Sequence, residues 1–177
     1  MAVQDSFLAA MDEFRAEGRG SAGDDTMTGR DIRLWTGRWE RPEGFAAYVE
    51  SLRSAALEET PRPSHFVPST TWWWVDGDEF LGRIALRHRL NDRLLEIGGH
   101  IGYDVRPSAR RHGHATAMLA AALPAAAAIG IDPALVTCDV DNVASRKVIE
   151  ANGGVFEDER SGKLRYWVAT HPDGKQA

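Results

Sequence analysis

The chain is poor in cysteine: Cys138 stands alone among 177 residues, which excludes an intrachain disulfide framework and the usual cysteine-rich zinc sites. It also lacks an excess of positive charge, since 21 Lys and Arg against 26 Asp and Glu give a net charge of −5. A dedicated nucleic-acid binder, with a basic face across its domain, is therefore not expected. Missing from the start are a positively charged segment and a long apolar one, because Asp12, Glu13 and Arg15 follow too soon for a secretory signal. The longest greasy stretch, Ala117 to Ile131, carries Pro124 and falls short of the roughly 18 apolar residues that a spanning helix needs. These absences predict a soluble, cytoplasmic protein with no membrane partner. There is no Walker loop and no Gly-x-Gly-x-x-Gly after a strand, so ATP and NAD are disfavoured as ligands.

What is present is the composition of a folded protein, 43% hydrophobic and 27% charged, in a length that suits one domain with a sizeable core. Phe7, Leu8, Met11 and Phe14 keep helical spacing, after which Arg15 to Asp31 dissolves into Gly, Ser, Asp and Thr and predicts a loop. Pro42 suits a first helical turn, and Phe45, Tyr48, Val49, Leu52 and Ala56 share one face of a second helix that ends before Pro61. Thr70 to Val75, then Asp76-Gly77, then Phe80 to Leu90 predict a hairpin. In its first arm Trp73 must face opposite to Trp72 and Trp74. This favours core packing on at least one face, with a substrate wall or a homodimer contact as alternatives. His100 to Val105 reads as a third strand that stops at Arg106-Pro107. A long helix starts near Gly113 on the stripe Ala115, Met118, Leu119, Ala122, Leu123 and Ala126, and Pro124 is expected to kink or shorten it. Leu135 to Val140 predicts a strand, Asn142 caps a helix through Ala151, and Val155 to Glu159 and Leu164 to Val168 close the chain as strands. Strands alternating with helices after a hairpin predict an α/β class, a mixed sheet flanked by helices.

The chemically informative stretch joins the third strand to the long helix: Val105-Arg-Pro-Ser-Ala-Arg110-Arg-His-Gly113-His-Ala115-Thr116. Such a turn aims free backbone N–H groups at one point and adds the positive end of a helix dipole, which suits phosphate or pyrophosphate. Gly113 permits close approach and a positive φ, and Arg110 and Arg111 bring guanidinium charge. The plainer alternative is a basic helix start with an ordinary glycine.

At this point the chain resembles the GNAT superfamily of acetyl-CoA-dependent N-acetyltransferases. The family's Arg/Gln-x-x-Gly-x-Gly/Ala signature matches Arg110-x-x-Gly113-x-Ala115, and Asn142-Val-Ala-Ser145 with the closing Gly153-Gly154 resembles its Asn-led helix. The resemblance runs from about Trp72 to Val168 and extends to a subgroup with Gly98 to Tyr103 before the turn and Arg165-Tyr166-Trp167 near the end. It implies a twisted mixed α+β sheet, with residues 31–177 as the acetyltransferase domain and 1–30 as an N-terminal helix and loop. It implies acetyl-CoA as co-substrate and no metal. The pyrophosphate is expected on Arg110, Arg111, His112, Gly113, His114, Ala115 and Thr116. The pantetheine is expected on the backbone of Ile101, Tyr103 and Val105, with Asn142 and Ser145 touching the arm. The implied reaction is direct attack, in a ternary complex, by a primary amine of a small molecule or peptide. A non-catalytic acyl-CoA sensor or interaction module of the same fold is the alternative.

An amine must lose a proton before it attacks, so His88, Glu96 and His100, in or beside strands that the resemblance puts on the acceptor side, are candidate bases. Where many family members carry a tyrosine that protonates the sulfur, this chain has Ile149, leaving Tyr166 or water for that proton. His112 and His114 lack a third metal ligand, and Cys138 reads as a small strand residue rather than a nucleophile.

Overall fold

The computed structural model describes residues 3–171. Three helices lead: α1 (Gln4–Ala16), α2 (Met27–Trp35) and α3 (Pro42–Ser54). The hairpin β1 (Ser69–Asp76) and β2 (Glu79–Arg87) follows, then β3 (Ile101–Val105), α4 (His114–Ala128), β4 (Ala134–Asp139), α5 (Val143–Ala151), β5 (Val155–Arg160) and β6 (Lys163–Val168). The strands make one sheet in the order β1-β2-β3-β4-β6-β5, in which only β3 and β4 run parallel. The predicted α/β class, a mixed sheet flanked by helices, is the fold observed.

The two faces of the sheet are built differently. Ile84, Leu86, Ile101 and Val136 lie against Met118, Leu119, Ala122 and Ala126 of α4 and Ile149 of α5, an all-apolar core. On the opposite face the three N-terminal helices gather Phe7, Met11, Phe14, Trp39, Phe45 and Tyr48. Trp73 joins this second cluster, stacked on Phe7 at 5.0 Å between ring centroids. Trp74 packs against the first core and Trp72 is exposed, as strand alternation requires. Each fully buried aromatic contributes on the order of 1.5–3 kcal/mol of transfer free energy.

Two local expectations are corrected. The stretch predicted as loop to Asp31 contains the first part of α2, capped by the Thr26 hydroxyl, which accepts from the Gly29 N–H. The buried face of α2 carries Thr28 and Asp31 beside Ile32, so no apolar period marks it. The helix α4 is not shortened at Pro124 and runs for 15 residues. Pro124 and Ala120, whose carbonyl loses its donor, both lie on the exposed side of the helix.

Candidate active site

Three features lie in sequence along β3: a turn after it, a gap beside it and a cavity beneath it. At the turn, Arg111 and Gly113 both take left-handed backbone conformations, with φ of 69° and 84°. Alternation of left-handed residues with their neighbours curls successive N–H groups into a concave nest that fits an anion. Among the described residues no acceptor takes the N–H groups of Arg111 to Thr116. The first turn of α4 adds its dipole to the same spot. Arg110 makes a two-pronged pair with Glu17 of α1 at 2.6 and 2.7 Å, half exposed and thus worth at most about 1 kcal/mol. Arg111 has no carboxylate partner among the described residues. His112 Nδ1 lies 3.3 Å from the Ala109 carbonyl, and the Trp74 indole donates to His114 Nδ1 at 3.3 Å. The Thr116 carbonyl accepts from the Asn152 amide, and Ala115 packs against the core. These residues form the turn as predicted, while Arg110 and the two imidazoles are already engaged within it.

The gap arises because β3 and β4 share one register pair, Ile101 with Val136. The bonds from Arg87 N–H to the His100 carbonyl and from Arg106 N–H to the Leu81 carbonyl fix the parity of the β2–β3 ladder. Gly102 and Asp104 therefore bond toward β2, and Ile101, Tyr103 and Val105 turn their backbone groups toward β4. Beyond Ile101 that edge has no strand to meet. Across the gap the Tyr103 hydroxyl lies 2.7 Å from Ser145 Oγ, and burial pushes the phenol up to about 12. Asn142 caps α5 by accepting from the Ser145 N–H at 3.0 Å. Ile149 is fully buried in the core behind.

The cavity, about 750 Å³, opens on the face covered by the N-terminal helices, between α2, the segment 65–67, β2, β3 and the start of α5. Much of its lining is charged. Arg83 pairs with Asp31 at 2.6 Å and donates to the Tyr48 and Thr28 hydroxyls, and Thr28 in turn donates to Asp104. Arg87 donates to the Gly98 and Gly99 carbonyls at 2.7 and 3.0 Å. Its burial, with the charge of Arg30 nearby, lowers the guanidinium to about 10. The Arg30 guanidinium lies 4.6 Å from the centroid of the Phe66 ring.

The proposed bases and acid do not converge on this cavity. His88 is hydrogen-bonded to the Thr70 hydroxyl at 2.8 Å, outside the lining. Glu96 sits in a π-helical turn (Leu94–Gly98) and pairs with Arg160 at 3.1 Å on the surface. His100 is buried, and its Nδ1 accepts the Leu135 N–H at 2.9 Å. Burial and the Arg87 charge push that imidazole down to about 4, so it staples β3 to β4 as a neutral acceptor. Tyr166 is buried, with its hydroxyl 3.4 Å from Glu150. Cys138 is buried on β4, and burial pushes its thiol up. Among the described residues no group of His, Cys, Asp and Glu is placed to hold a metal ion, and no helix is long and apolar enough to cross a membrane.

A family model described as an acetyltransferase (GNAT) domain matches residues 24–155. No curated protein matches the sequence. Among solved structures, Mycobacterium smegmatis RimJ in complex with CoA-disulfide is 18% identical with a TM-score of 0.62, over 97% of this chain and 81% of that one. The microcin C7 self-immunity acetyltransferase MccE, in complex with acetyl-CoA and AMP, is 12% identical with a TM-score of 0.60, over 94% and 86%. The yncA protein of Salmonella typhimurium, with its cofactor acetyl-CoA, is 11% identical with a TM-score of 0.56, over 99% and 93%. At such identities the likeness is one of fold, and it agrees with the family match that spans most of the sequence. This chain is thus a member of the GNAT acetyltransferase family.

Proposed function

We propose that the protein is an N-acetyltransferase that moves the acetyl group of acetyl-CoA to a primary amine of a small molecule or peptide. The observation that carries this reading is the continuity of β3. The strand leads from the nest at Arg111 to Thr116, along the unpaired edge of Tyr103 and Val105, to the cavity floor at Gly102. The nest fits a pyrophosphate and the unpaired edge fits the amides of an extended pantetheine arm. Acetyl-CoA supplies the activated thioester, and the protein supplies position. Holding the amine and thioester carbon in attack geometry is the main source of rate. An N–H of the open β3 edge stabilises the charge that grows on the carbonyl oxygen.

The amine nitrogen forms its bond to the acyl carbon as the carbon–sulfur bond breaks, and the amine gives up a proton. Asp31 and Asp104 in the lining already hold guanidinium or hydroxyl partners, so the proton leaves through water rather than to one fixed base. The guanidiniums of Arg30 and Arg87 in the lining favour the neutral form of an amine docked beside them, because like charge disfavours an ammonium. At the sulfur, the Tyr103–Ser145 hydroxyl pair stabilises the departing thiolate by hydrogen bonding, and water supplies the proton. A thiol pKa near 8.5 makes that group able to leave without a strong acid.

Release of free thiol from acetyl-CoA in the presence of a panel of primary amines tests this reading. Thiol release above background with at least one amine is the expected result. Tight CoA binding with no release for any amine would instead make the protein a sensor.

A further inference from the structure

We infer that the acceptor is a small primary amine bearing an anionic group, carboxylate or phosphate, and that Arg30 and Arg87 bind that group. The inference rests on the transferase reading above and adds the class of acceptor to it. Most cations lining the cavity have a carboxylate: Arg83 has Asp31 at 2.6 Å, Arg19 has Asp24 at 3.6 Å and Asp104 at 3.7 Å, and Arg93 has Asp25 at 3.5 Å. Lys163 pairs with Asp139. Arg30 and Arg87 have none among the described residues. Arg87 spends one nitrogen, Nη1, on the Gly98 and Gly99 carbonyls, leaving Nε and Nη2 without a partner among the described residues. Among the described residues Arg30 makes no side-chain hydrogen bond, and it rests against the Phe66 ring.

Two partly buried guanidiniums without counter-charge are costly to maintain, and the cost is visible in both being pushed below the ordinary arginine range by burial. A guanidinium fork with free donors matches a carboxylate or phosphate oxygen pair. The floor beneath them is Gly102: a Cβ there would lie 3.3 Å from Met27 Cε and 3.5 Å from Arg87 Nη2. The bare backbone lets Arg87 reach across β3, next to Tyr103, where the strand edge opens into the gap. An anion held by this pair puts an amine a few bonds away at the mouth of the gap.

The test uses acceptors matched in length: γ-aminobutyrate and phosphoethanolamine as the two anionic arms, 4-aminobutanol as the neutral control and putrescine as the cationic one. The ratio of kcat/KM for an anionic over the neutral amine should be about tenfold or more in the wild type, the scale of one or two charge-assisted hydrogen bonds. Arg87→Met should collapse that ratio through KM, and Arg87→Lys should recover part of it. Arg30→Met, on the outer helix, gives a second variant should Arg87→Met fail to fold, with the CoA-induced thermal shift as the check on folding. Whichever anionic arm is preferred names the source. A wild-type preference for 4-aminobutanol or putrescine, or an anionic-to-neutral ratio indifferent to both arginines, overturns the inference. Calorimetric titration of the CoA-loaded protein with γ-aminobutyrate, phosphoethanolamine and 4-aminobutanol separates the two readings. Arginine-dependent binding of an anionic amine without thiol release sinks the transferase and keeps the anion site. Thiol release with no arginine-dependent preference does the reverse.

Discussion

The turn after β3 and the cavity beneath it handle charge in opposite ways. The turn holds its donors on the backbone, in one run of six residues from Arg111 to Thr116, with φ values that only those positions need supply. The cavity holds its charges on side chains drawn from α2, β2 and β3, such as Asp31, Arg83 and Asp104, each depending on another for its position. A backbone nest tolerates change around it, whereas a side-chain network fails when one member is removed. The first arrangement suits a ligand shared by a whole family, the second a ligand particular to one branch.

The sharpest way to break this contrast is to remove one member of the network. Asp31→Ala leaves Arg83 buried beside only the more distant Asp104, and loss of one partner of a buried pair costs about 3–5 kcal/mol. Urea unfolding should show it as a lower midpoint with an unchanged slope. If Asp31→Ala is as stable as the wild type, the network is not what holds α2 to β2.

Next in size is the nest itself. Gly113 has φ of 84° and open space around the position of a Cβ, so Gly113→Val meets no wall but forces a β-branched residue into a left-handed conformation, at about 1–3 kcal/mol. It also sets two methyl groups where a pyrophosphate approaches. CoA should bind at least about tenfold more weakly, which is 1.4 kcal/mol, and the CoA-induced rise in Tm should shrink accordingly. A folded Gly113→Val that binds CoA as before would remove the nest from the cofactor site.

His100 lies outside both regions, at the opposite end of β3 from the turn, where it joins β3 to β4 as the gap begins. Its folded pKa of about 4 lies below the ordinary 6.5, so between those values the unfolded chain takes up a proton that the folded imidazole refuses. Its contribution is intact above pH 6.5 and is lost as pH falls toward 4, with a slope of at most about 1.4 kcal/mol per pH unit. Stability measured from pH 7.5 to 4 should decline over that window, and His100→Asn, which can still accept the Leu135 N–H, should flatten the decline.

The smallest effects compare two tyrosines. Tyr103→Phe removes a hydroxyl that faces the gap and should lower kcat about tenfold, the worth of one hydrogen bond to a charged group. Tyr166→Phe removes a hydroxyl bonded only to Glu150 at 3.4 Å and should cost less than Tyr103→Phe in turnover. The reverse order would make Tyr166 on β6, in place of water, the source of the proton.

What could be read without coordinates follows the same division. The turn, the Asn142 cap and the strands around them are contiguous, and their residue types answer to local backbone demands, so pattern alone located them. The helix α2 carries no such signal, because its inward face is Thr28, Asp31 and Ile32, a mixture without an apolar period. The cavity was equally hidden, for Asp31, Arg83, Arg87 and Asp104 are scattered along the chain and converge only through sheet register. His88 and Glu96 are titratable and lie near the right strands in sequence, yet neither lines the cavity. Whether a side chain faces a cavity depends on irregular segments such as the π-helical turn Leu94–Gly98, which no alternation rule describes.

The single register pair between β3 and β4 also divides the sheet mechanically. Strands β1, β2 and β3 form one antiparallel panel, and β4, β6 and β5 form another. Beyond Ile101 the panels meet through helices, including the Tyr103 contact to Ser145 of α5, rather than through a ladder; the direct bonds between them, His100 with Leu135 and the Thr137 hydroxyl with the Ile97 carbonyl, lie at the start of β3 and before it. An extended, amide-bearing ligand lying in that boundary behaves as a missing strand, adding to an open edge the hydrogen bonds a neighbour would have made. Occupancy should therefore be felt as stiffness: amide exchange in β4, and in the α5 turn above it, should slow when CoA binds, while the β1–β2 hairpin on the far side of its own panel keeps its pace.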